Sequence, residues 1–599
     1  MDNKTDNSYL FQVNLKGMIE LLSEHIYSSP NVFVRELLQN GIDAITARRS
    51  IEESFEGEIN VYTNKEASEI IFEDNGIGLS EEEVHRFLSV IGQSSKRDDI
   101  LEKDYIGKFG IGLLSCFVVS NEIVVETCSL IKQKGVRWRG KADGTYTIEE
   151  IDRKMPFGTR VILTPKREWK LLFEENELRK NILYFGSALP LTINIVKDKQ
   201  KEIIVGGCPV WLNPDSTKQE LLAFGEQAFN IKFLDAFCLR SDVGEITGVG
   251  FIMPYKVQFT GSREHKIYLK RMFLCEQAGN LFPEWASFVK CIINTNMLKP
   301  TASRESLMDN DELKAAKKEL NNAFKEYLRT LSVTNVSILE KIIHTHHLFI
   351  KALAAEDTEL LKLFIDYIPF ETNKGSMTFR SLKTYNNELF YTPSLDDFRQ
   401  IRRIAGSQGK TVINAAYSFE SDLIRKISIV SPETSISKIT PQDILSNLGE
   451  TVTDDKRFQE FEQRANVVLK ANYCRAQVKM FEPEDTPAIY VANDEALNNK
   501  NIRNLANASN PFASTLQGFI KKQEETVPTL CFNKDNSLVN DLVDLDDESM
   551  FEAVVNILYV QSLMLGNYPI NKKEMTVFND SIYKLLIMGM SNFSQKLNI

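Results

Sequence analysis

One helical segment near the N-terminus constrains this chain most, because it combines a buried stripe with acidic and amide side chains. In residues 31–45, NVFVRELLQNGIDAI, apolar residues recur every three or four positions, which predicts an amphipathic helix. Glu36, Asn40 and Asp43 are spaced i, i+4 and i+7, so they lie along one face of it. A carboxylate beside an amide suits a hard cation and an activated water. A plain solvated face is the alternative, and this segment taken alone favours it.

An acidic, glycine-containing turn follows two predicted strands, residues 59–63 and 69–73. It reads EDNGIGL over residues 73–79, so two glycines flank an apolar residue and let the backbone approach a flat ligand closely. Asp74 falls at the strand end, where its carboxylate can accept the amino proton of an adenine. An ordinary turn is the alternative and is the more common meaning of such a sequence.

A second glycine-rich stretch, GKFGIGLLS at residues 107–115, precedes an apolar segment that predicts a helix. Glycines before a helix expose backbone N–H groups and the positive helix end to a phosphate. The spacing G-x-x-G-x-G is neither the Rossmann fingerprint nor a P-loop. The polar residues 80–105 that precede it are numerous enough to fold over a ligand as a lid. Each motif is weak alone, but all three in this order within about 80 residues favour a nucleotide site.

The composition narrows the class of protein. Lys and Arg total 71 against 82 Asp and Glu, a net charge of -11, which opposes a nucleic-acid coat protein. The N-terminus lacks a signal-peptide pattern, and no apolar run reaches the 18 or so residues of a membrane span. Eight scattered cysteines without a C-x-x-C pair predict thiols in a reducing compartment. We therefore expect a soluble, cytoplasmic, multidomain chain.

The order of patterns along the chain predicts a multidomain α+β fold. Strands and helices are mixed up to about residue 195, and the polar run 197–202 is a candidate linker. Strand-like segments at 245–253 and 265–274 alternate with helices, helical patterning covers 310–370, and a smaller α/β pattern covers 380–450. The chain closes with two apolar helices whose stripes fit a core and a dimer seam about equally. The predicted domains are 1–196, 203–335, 336–455 and 456–599.

The order E-x-x-x-N-x-x-D, D-x-G-x-G, G-x-x-G-x-G resembles the GHKL ATPase superfamily, which includes gyrase B, MutL-type repair proteins, histidine kinases and the 90-kDa heat-shock chaperones. Within it, FVRELLQN at 33–40 and LSVIGQSSK at 88–96 resemble the bacterial HtpG type of the chaperone family. Further matches are RMFL at 271–274, SRESL at 303–307 and DTPAIYV at 485–491. The resemblance implies an N-terminal ATP-binding (Bergerat) α/β sandwich, an α/β middle domain and a mainly helical C-terminal dimerisation domain.

The resemblance also implies roles at the matching positions. Glu36 is the expected general base for the attacking water, and Asn40 the expected ligand of a Mg²⁺ ion that bridges the phosphates. Asp74 is expected to bind the adenine amino group, with Thr159 and Gly78 in support. The family chemistry is hydrolysis of ATP to ADP and phosphate, in which positioning and charge neutralisation dominate.

Arg304, from the middle domain, is expected to reach the γ-phosphate and to make hydrolysis depend on domain docking. The other ATP-binding residues that the resemblance implies are Asp43, Gly76, Leu79, Ser94, Gly107, Phe109, Gly110, Ile111 and Gly112. The implied cofactors are ATP and Mg²⁺, and the implied role is a heat-shock chaperone with slow ATP turnover.

The same resemblance implies a conformational cycle and partners. ATP is expected to close the 80–105 lid and to free the N-terminal strand, residues 9–14, for the other protomer. The C-terminal helices are expected to form a homodimer, and the middle and C-terminal domains to bind unfolded or partly folded client proteins. Cochaperones can also be partners, whereas neither a membrane nor a nucleic acid is expected.

Four positions depart from the family pattern, and they keep alternatives open. Gln93 stands where many relatives carry Lys, and Leu113 where they carry Phe. Thr301 and Met308 replace an Asn and a Gln that flank the arginine motif. These changes leave room for a nucleotide-gated scaffold without catalysis. A DNA topology or repair ATPase and a histidine kinase fit less well, because the chain is acidic and lacks a phospho-acceptor helix.

Two other candidate sites are less favoured. His344 and His347 are spaced i, i+3, with His346 between them, but residues 339–351 fit an amphipathic helix with its histidines on the surface better than a metal site. Ser115 and Cys116 follow the glycine stretch, but no G-x-S-x-G elbow surrounds them, so nucleophilic catalysis is not expected.

Overall fold

The computed structural model describes residues 17, 29–64, 69–88, 112–151, 155–197, 200–258, 264–276, 280–301, 305–385, 388–446, 455–492, 495–498, 500, 527–566 and 568–597. The chain divides into two compact units, Met1–His346 and His347–Ile599. The predicted N-terminal strand at 9–14 lies outside the described residues. The finer division into four domains stays a prediction. Within the described part of the chain, no helix is long and apolar enough to cross a bilayer.

The first unit contains seven helices and thirteen strands among its described residues. The helices are α1 Val32–Arg49, α2 Glu81–Leu88, α3 Cys116–Val119, α4 Glu175–Gly186, α5 Lys218–Phe229, α6 Asp311–Thr334 and α7 Val336–Thr345. The strands are β1 Glu58–Asn64, β2 Glu69–Asp74, β3 Ser120–Cys128, β4 Gly135–Lys141, β5 Tyr146–Ile151, β6 Gly158–Pro165, β7 Thr192–Lys197, β8 Gln200–Val205, β9 Asp235–Ser241, β10 Ile246–Ile252, β11 Lys266–Leu269, β12 Met272–Cys275 and β13 Val289–Thr295.

An eight-stranded sheet in the order β5-β4-β3-β6-β2-β1-β7-β8 carries the first part of this unit. The apolar stripe predicted for α1 is confirmed, since its six residues are all buried: Phe33, Val34, Leu37, Leu38, Ile42 and Ile45. This stripe belongs to the same core as the inward side chains of β1, β2 and β7. A second sheet, β12-β11-β13-β10-β9, follows, with the long helix α6 packed on it.

One local prediction in this unit is wrong. Residues 197–202 are not a linker, because β7 and β8 pair as an antiparallel hairpin, with Val196 opposite Lys201. The apolar helix predicted after the glycine stretch is confirmed, and it is short: a 3₁₀ turn, Gly112–Ser115, leads into the single turn of α3. It ends there because the Ser120 hydroxyl donates to the Thr164 carbonyl at 2.8 Å and draws the chain into the sheet.

The second unit, considered by itself, combines helices with two sheets. Its helices are α8 His347–Glu356, α9 Thr358–Phe364, α10 Phe379–Tyr385, α11 Leu395–Ser407, α12 Glu420–Val430, α13 Pro441–Ser446, α14 Lys456–Leu469, α15 Ser537–Val543, α16 Glu548–Leu565 and α17 Lys572–Leu597. Its strands are β14 Pro369–Thr372, β15 Gly375–Thr378, β16 Glu388–Thr392, β17 Val412–Asn414, β18 Ser435–Lys438, β19 Arg475–Lys479, β20 Ala488–Val491 and β21 Thr529–Asn533.

These strands form a five-stranded sheet, β15-β14-β17-β16-β18, and a three-stranded sheet, β19-β21-β20. The multidomain α+β class predicted from the sequence is therefore confirmed. The final helices α16 and α17 pack on each other, but their stripes are buried unequally. Phe551 and Val555 on α16 are in the core, whereas Leu586 on α17 is 59% exposed.

The histidine cluster is not a surface feature of one helix. Helix α7 ends at Thr345, and His346 is buried, with its Nε2 2.8 Å from the Met253 carbonyl oxygen. Its ring stacks on Phe288 at 4.3 Å between centroids, so the expected surface placement is wrong for this residue. In the part of the chain that the structure describes, no three His, Cys, Asp or Glu side chains are grouped to hold a metal ion.

Candidate nucleotide-binding site

Helix α1 places the first predicted group of polar side chains. Glu36 and Asp43 are only 2% and 3% exposed, whereas Asn40, between them in sequence, is exposed. Because carboxylates are rarely buried unless they are paired or serve a site, the solvated-face alternative is wrong for these two acids. The helix thus offers two enclosed carboxylates with an accessible amide between them.

The Glu36 carboxylate is bonded to Arg35 through one oxygen and faces Gly112 with the other. Arg35, itself buried, directs its Nε and Nη2 to Glu36 Oε1, each at 3.3 Å. The second oxygen, Oε2, faces Gly112, where a Cβ would lie only 2.4 Å away. A side chain at position 112 would therefore displace the Glu36 carboxylate, and the first and third sequence motifs meet at this point.

Cys116, one turn after Gly112, is also near Glu36. Burial, with the negative charge of Glu36 adding to it, raises the pKa of the Cys116 thiol well above its usual range. The thiol therefore stays protonated, in agreement with the expectation that it is no nucleophile. Ser115 is similarly occupied, because its hydroxyl donates to the Gly112 carbonyl at 2.7 Å.

Asp74 ends β2 and lies opposite Thr159 on β6. The Gly76 N–H donates to Asp74 Oδ1 at 2.8 Å. Removal of water from around the carboxyl raises the pKa of Asp74 to about 7, despite the opposing hydrogen bonds from Gly76 and Thr159. At neutral pH this group is present in both protonation states, so it can accept a hydrogen bond and also donate one.

A small hydroxyl network connects the second motif to the centre of the sheet. Thr127 Oγ1 lies 3.0 Å from Thr159 Oγ1 and accepts from the Leu79 N–H at 2.8 Å. Gly78 has φ +65°, and a Cβ there would lie 2.0 Å from the Cys128 carbonyl oxygen. The loop after Asp74 is thus fixed against both β3 and β6.

The same loop is fixed against α1 on its other side. The Ile77 N–H donates to the Ala44 carbonyl at 3.1 Å, and Gly76 lies so close that a Cβ would be 2.6 Å from the Ala44 carbonyl carbon. From Glu36 to Ala44 the helix rises about 12 Å at 1.5 Å per residue. Glu36 and the Asp74 loop therefore lie about 12 Å apart along one helix. This spacing suits an extended ligand whose two ends differ in chemistry.

The start of the predicted lid is helical. Ser80 and Glu83 form a capping box at the head of α2, in which Ser80 N and Oγ both donate to Glu83 Oε2 at 2.7 Å. The rest of the lid, residues 89–105, lies outside the described residues, as do six predicted site residues: Ser94, Gly107, Phe109, Gly110, Ile111 and Arg304.

Four residues of the site were not predicted: Arg35, Gly41, Thr127 and Gly158. Gly158 has φ +125° and lies against the Asp74 carbonyl, where a Cβ would be at 2.1 Å. Gly41 allows Ile59 to approach α1 closely. A glycine inside a helix costs about 1 kcal/mol relative to Ala, so its presence in the sequence could have indicated this close approach. Arg35 and Thr127 carry no comparable signal, because their roles depend on contacts between distant segments.

Comparison with known proteins gives two family matches in different parts of the chain. Residues 27–157 match the family described as histidine kinase-, DNA gyrase B-, and HSP90-like ATPase. Residues 254–416 match the family described as Hsp90 protein. The first match contains every described residue of the site except Thr159 and Gly158.

Similar whole chains carry the name chaperone protein HtpG. One from Buchnera aphidicola subsp. Baizongia pistaciae is 24% identical, over 93% of this chain and 95% of its own length. Another from Buchnera aphidicola subsp. Cinara cedri is 26% identical, over 92% and 88%. A third, from Pasteurella multocida, is 23% identical, over 92% and 94%. In each of these comparisons the similarity extends over nearly the full length of both chains.

Proposed function

Because the chain belongs to the Hsp90 family, we propose that it is an ATP-dependent chaperone of the HtpG type that binds Mg·ATP along α1 and hydrolyses it to drive a conformational cycle. The observation that carries this proposal is the convergence on α1 of Gly112, packed against Glu36, and of the Asp74 loop, bonded to Ala44. This convergence supports one site with an adenine end and a phosphate end.

At the adenine end, Asp74 is the proposed reader of the base. Its carboxyl is half-buried and desolvated, and its pKa of about 7 lets it accept from an exocyclic amine or donate to a ring nitrogen. Thr159 and Gly78 support the contact through Thr127, which holds both strands and the Leu79 N–H. A desolvated acceptor of this kind discriminates against bases that leave it unpaired once the ligand covers it.

At the phosphate end, Glu36 is the proposed general base for the attacking water. Arg35 holds Oε1, so Oε2 is the oxygen turned toward the Gly112 side and is the proposed proton acceptor. Asn40 offers an accessible amide oxygen, a ligand atom that suits a Mg²⁺ ion bound mainly through phosphates. The metal would neutralise phosphate charge there. Arg304 is proposed to approach the γ-phosphate from the middle domain.

The proposed cycle follows the predicted four-domain organisation. Closure of the 80–105 lid and docking of the Arg304 loop would make the rate of ATP hydrolysis depend on how the domains are arranged. Dimerisation through α16 and α17 is supported by the exposed apolar side chains of α17, among them Tyr583 and Met590. Client proteins are the proposed partners of the middle and C-terminal domains, with cochaperones as further partners.

The test is single-turnover hydrolysis by Glu36→Gln, which keeps the hydrogen-bonding partner of Arg35 but removes the base. ATP affinity should stay within a few-fold of wild type while the cleavage rate falls about 10²- to 10⁴-fold. Glu52→Gln is a matched control, because Glu52 also pairs with an arginine of α1, Arg48 at 2.9 Å, but at the surface. Unchanged cleavage in Glu36→Gln would refute the assigned base. Wild-type protein that binds ATP without cleaving it would favour the scaffold alternative.

A further inference from the structure

Backbone strain in the first unit is concentrated at two hairpin turns. Seven residues other than glycine have positive φ in the described part of the chain. Three of them are Glu245 in the β9–β10 turn and the pair Lys270 and Arg271 in the β11–β12 turn, with φ of 47°, 48° and 66°. Such conformations cost free energy and persist only where surrounding contacts enforce them. We therefore asked what these two turns hold in place.

The β9–β10 turn, residues 242–245, holds the chain that leaves β13. The Gly244 carbonyl accepts three hydrogen bonds: from Thr295 Oγ1 at 2.5 Å and from the N–H groups of Asn296 and Met297, each at 3.2 Å. Asn296 Nδ2 also donates to Glu245 Oε2 at 3.2 Å. One strained turn therefore fixes three consecutive residues.

The β11–β12 turn holds the residues just before them. Lys270 N–H donates to the Thr295 carbonyl at 2.8 Å, and Arg271 N–H donates to Asn294 Oδ1 at 2.5 Å. A two-residue hairpin with positive φ at both positions normally carries Asn-Gly, which adopts it at low cost. Here Lys and Arg adopt it, so the contacts to residues 294 and 295 enforce the conformation. Both turns thus hold the same anchor segment, residues 294–297.

The anchor segment leads directly into the arginine loop, residues 298–308. The described ends of this loop are closed on each other: Met308 N–H donates to the Lys299 carbonyl at 2.8 Å, and Thr301 N–H donates to the Ser306 carbonyl at 2.9 Å. Thr301 Oγ1 also lies 3.2 Å from Ser306 Oγ. Of the two departures from the family pattern in this loop, Thr301 adds a side-chain contact to its closure, whereas position 308 contributes through its backbone N–H. Arg304, which the loop carries, lies outside the described residues.

Glu319 connects the 242–245 turn to the helix that follows the arginine loop. It lies on α6, and its Oε2 accepts from Ser241 Oγ at 2.5 Å and from Val243 N–H at 3.2 Å. These hydrogen bonds hold the pKa of Glu319 below its usual value, so the carboxylate is ionised at neutral pH. The loop is therefore framed on both sides, by its anchor segment before it and by α6 after it.

We propose that Glu319 and the 242–245 turn are positioning elements that preset the arginine loop for ATP hydrolysis. This inference rests on the proposed function, in which Arg304 approaches the γ-phosphate. Fixing the loop before the reaction lowers the ordering cost when the arginine docks, and a displacement of about 1 Å in such a group can cost about 10²-fold in rate. Neither Glu319 nor Gly244 contacts the site on α1 in this scheme, so nucleotide affinity is independent of them.

The first test compares Glu319→Ala with Glu326→Ala in the full chain. Glu326 lies on the same helix and pairs with Arg329 at 3.4 Å on the exposed surface. Glu319→Ala removes the acceptor of the Ser241 and Val243 hydrogen bonds, so it should lower kcat on the order of 10-fold and leave KM for ATP within two-fold, whereas Glu326→Ala should match wild type. Gly244→Ala, in which the new Cβ would lie 2.7 Å from Leu298 Cγ at φ +78°, should lower kcat at least as much.

A double-mutant cycle separates positioning from general destabilisation. If Glu319 acts through Arg304, Glu319→Ala should cost nothing further in an Arg304→Ala background. Additive losses, an unchanged kcat in Glu319→Ala, or a KM that rises with the loss of kcat would overturn the inference. If Arg304→Ala hydrolyses ATP at the wild-type rate, the proposed role of the arginine fails and the positioning proposal fails with it. If only Glu319→Ala leaves kcat unchanged, the arginine role survives and the positioning proposal alone is wrong.

Discussion

Replacing Asp74 by asparagine should stabilise the first unit at neutral and alkaline pH while weakening nucleotide binding. The folded state raises the pKa of Asp74 from 3.8 to about 7. A raised carboxyl pKa stabilises the fold fully below pH 3.8, and that contribution is lost as the pH rises through about 7. At about 1.4 kcal/mol per pH unit, the loss is on the order of 4 kcal/mol by pH 8 and about 2 kcal/mol at pH 5.

Asparagine carries no charge to desolvate, and its Oδ1 can still accept from the Gly76 N–H. The stability of Asp74→Asn relative to wild type should therefore rise by about 2 to 3 kcal/mol between pH 5 and pH 8. Urea unfolding followed by tryptophan fluorescence measures this, because all four tryptophans, at 138, 169, 211 and 285, belong to the first unit. A stability difference that does not change with pH would refute the claim that this carboxyl is desolvated.

Two further predictions concern other parts of the molecule. Gly112→Ala should reduce the rate of ATP hydrolysis by 10-fold or more while the fold is kept, because the new Cβ would lie 2.4 Å from Glu36 Oε2. A single-turnover assay measures the rate, and circular dichroism checks the fold. Cleavage at the wild-type rate would contradict the assigned contact. Lys500→Met should destabilise the second unit by about 3 to 5 kcal/mol, because it leaves Glu574, now 2.8 Å from Lys500 Nζ, as an unpaired buried carboxylate. The double variant Lys500→Met/Glu574→Gln is the matched check, and it should recover much of the lost stability in urea unfolding. If Lys500→Met alone were as stable as wild type, the result would be inconsistent with a buried ion pair.

The elements that carry the site could be predicted because their signals are local. The stripe of α1 follows helical periodicity, and β1 and β2 alternate as half-buried strands do. The bounds of both strands agree with the predicted ones within one residue, whereas α1 continues four residues past the predicted segment 31–45. Asp74 at a strand end and Glu36 on a helix face follow directly from those elements. The local sequence pattern was sufficient to predict a helix or strand wherever one face of that element is buried.

The remaining features depend on contacts that no local pattern encodes. The segment after β7 was expected to be a linker because β8 is an edge strand whose polar residues face water, so it lacks the apolar alternation of a central strand. The packing of Gly112 against Glu36 joins residues 76 positions apart, and Thr127 joins three segments. His346 was misplaced because a helix break between α7 and α8 carries no glycine or proline to mark it.

A calorimetric titration of the full chain with ADP and Mg²⁺ tests the central claim most directly. The account predicts one nucleotide per chain in the wild type, and an affinity at least 10-fold weaker in Asp74→Ala, whose base-reading carboxyl is gone. Absence of binding heat in the wild type, or equal affinity in the two proteins, would mean that the motifs gathered on α1 do not form an adenine nucleotide site.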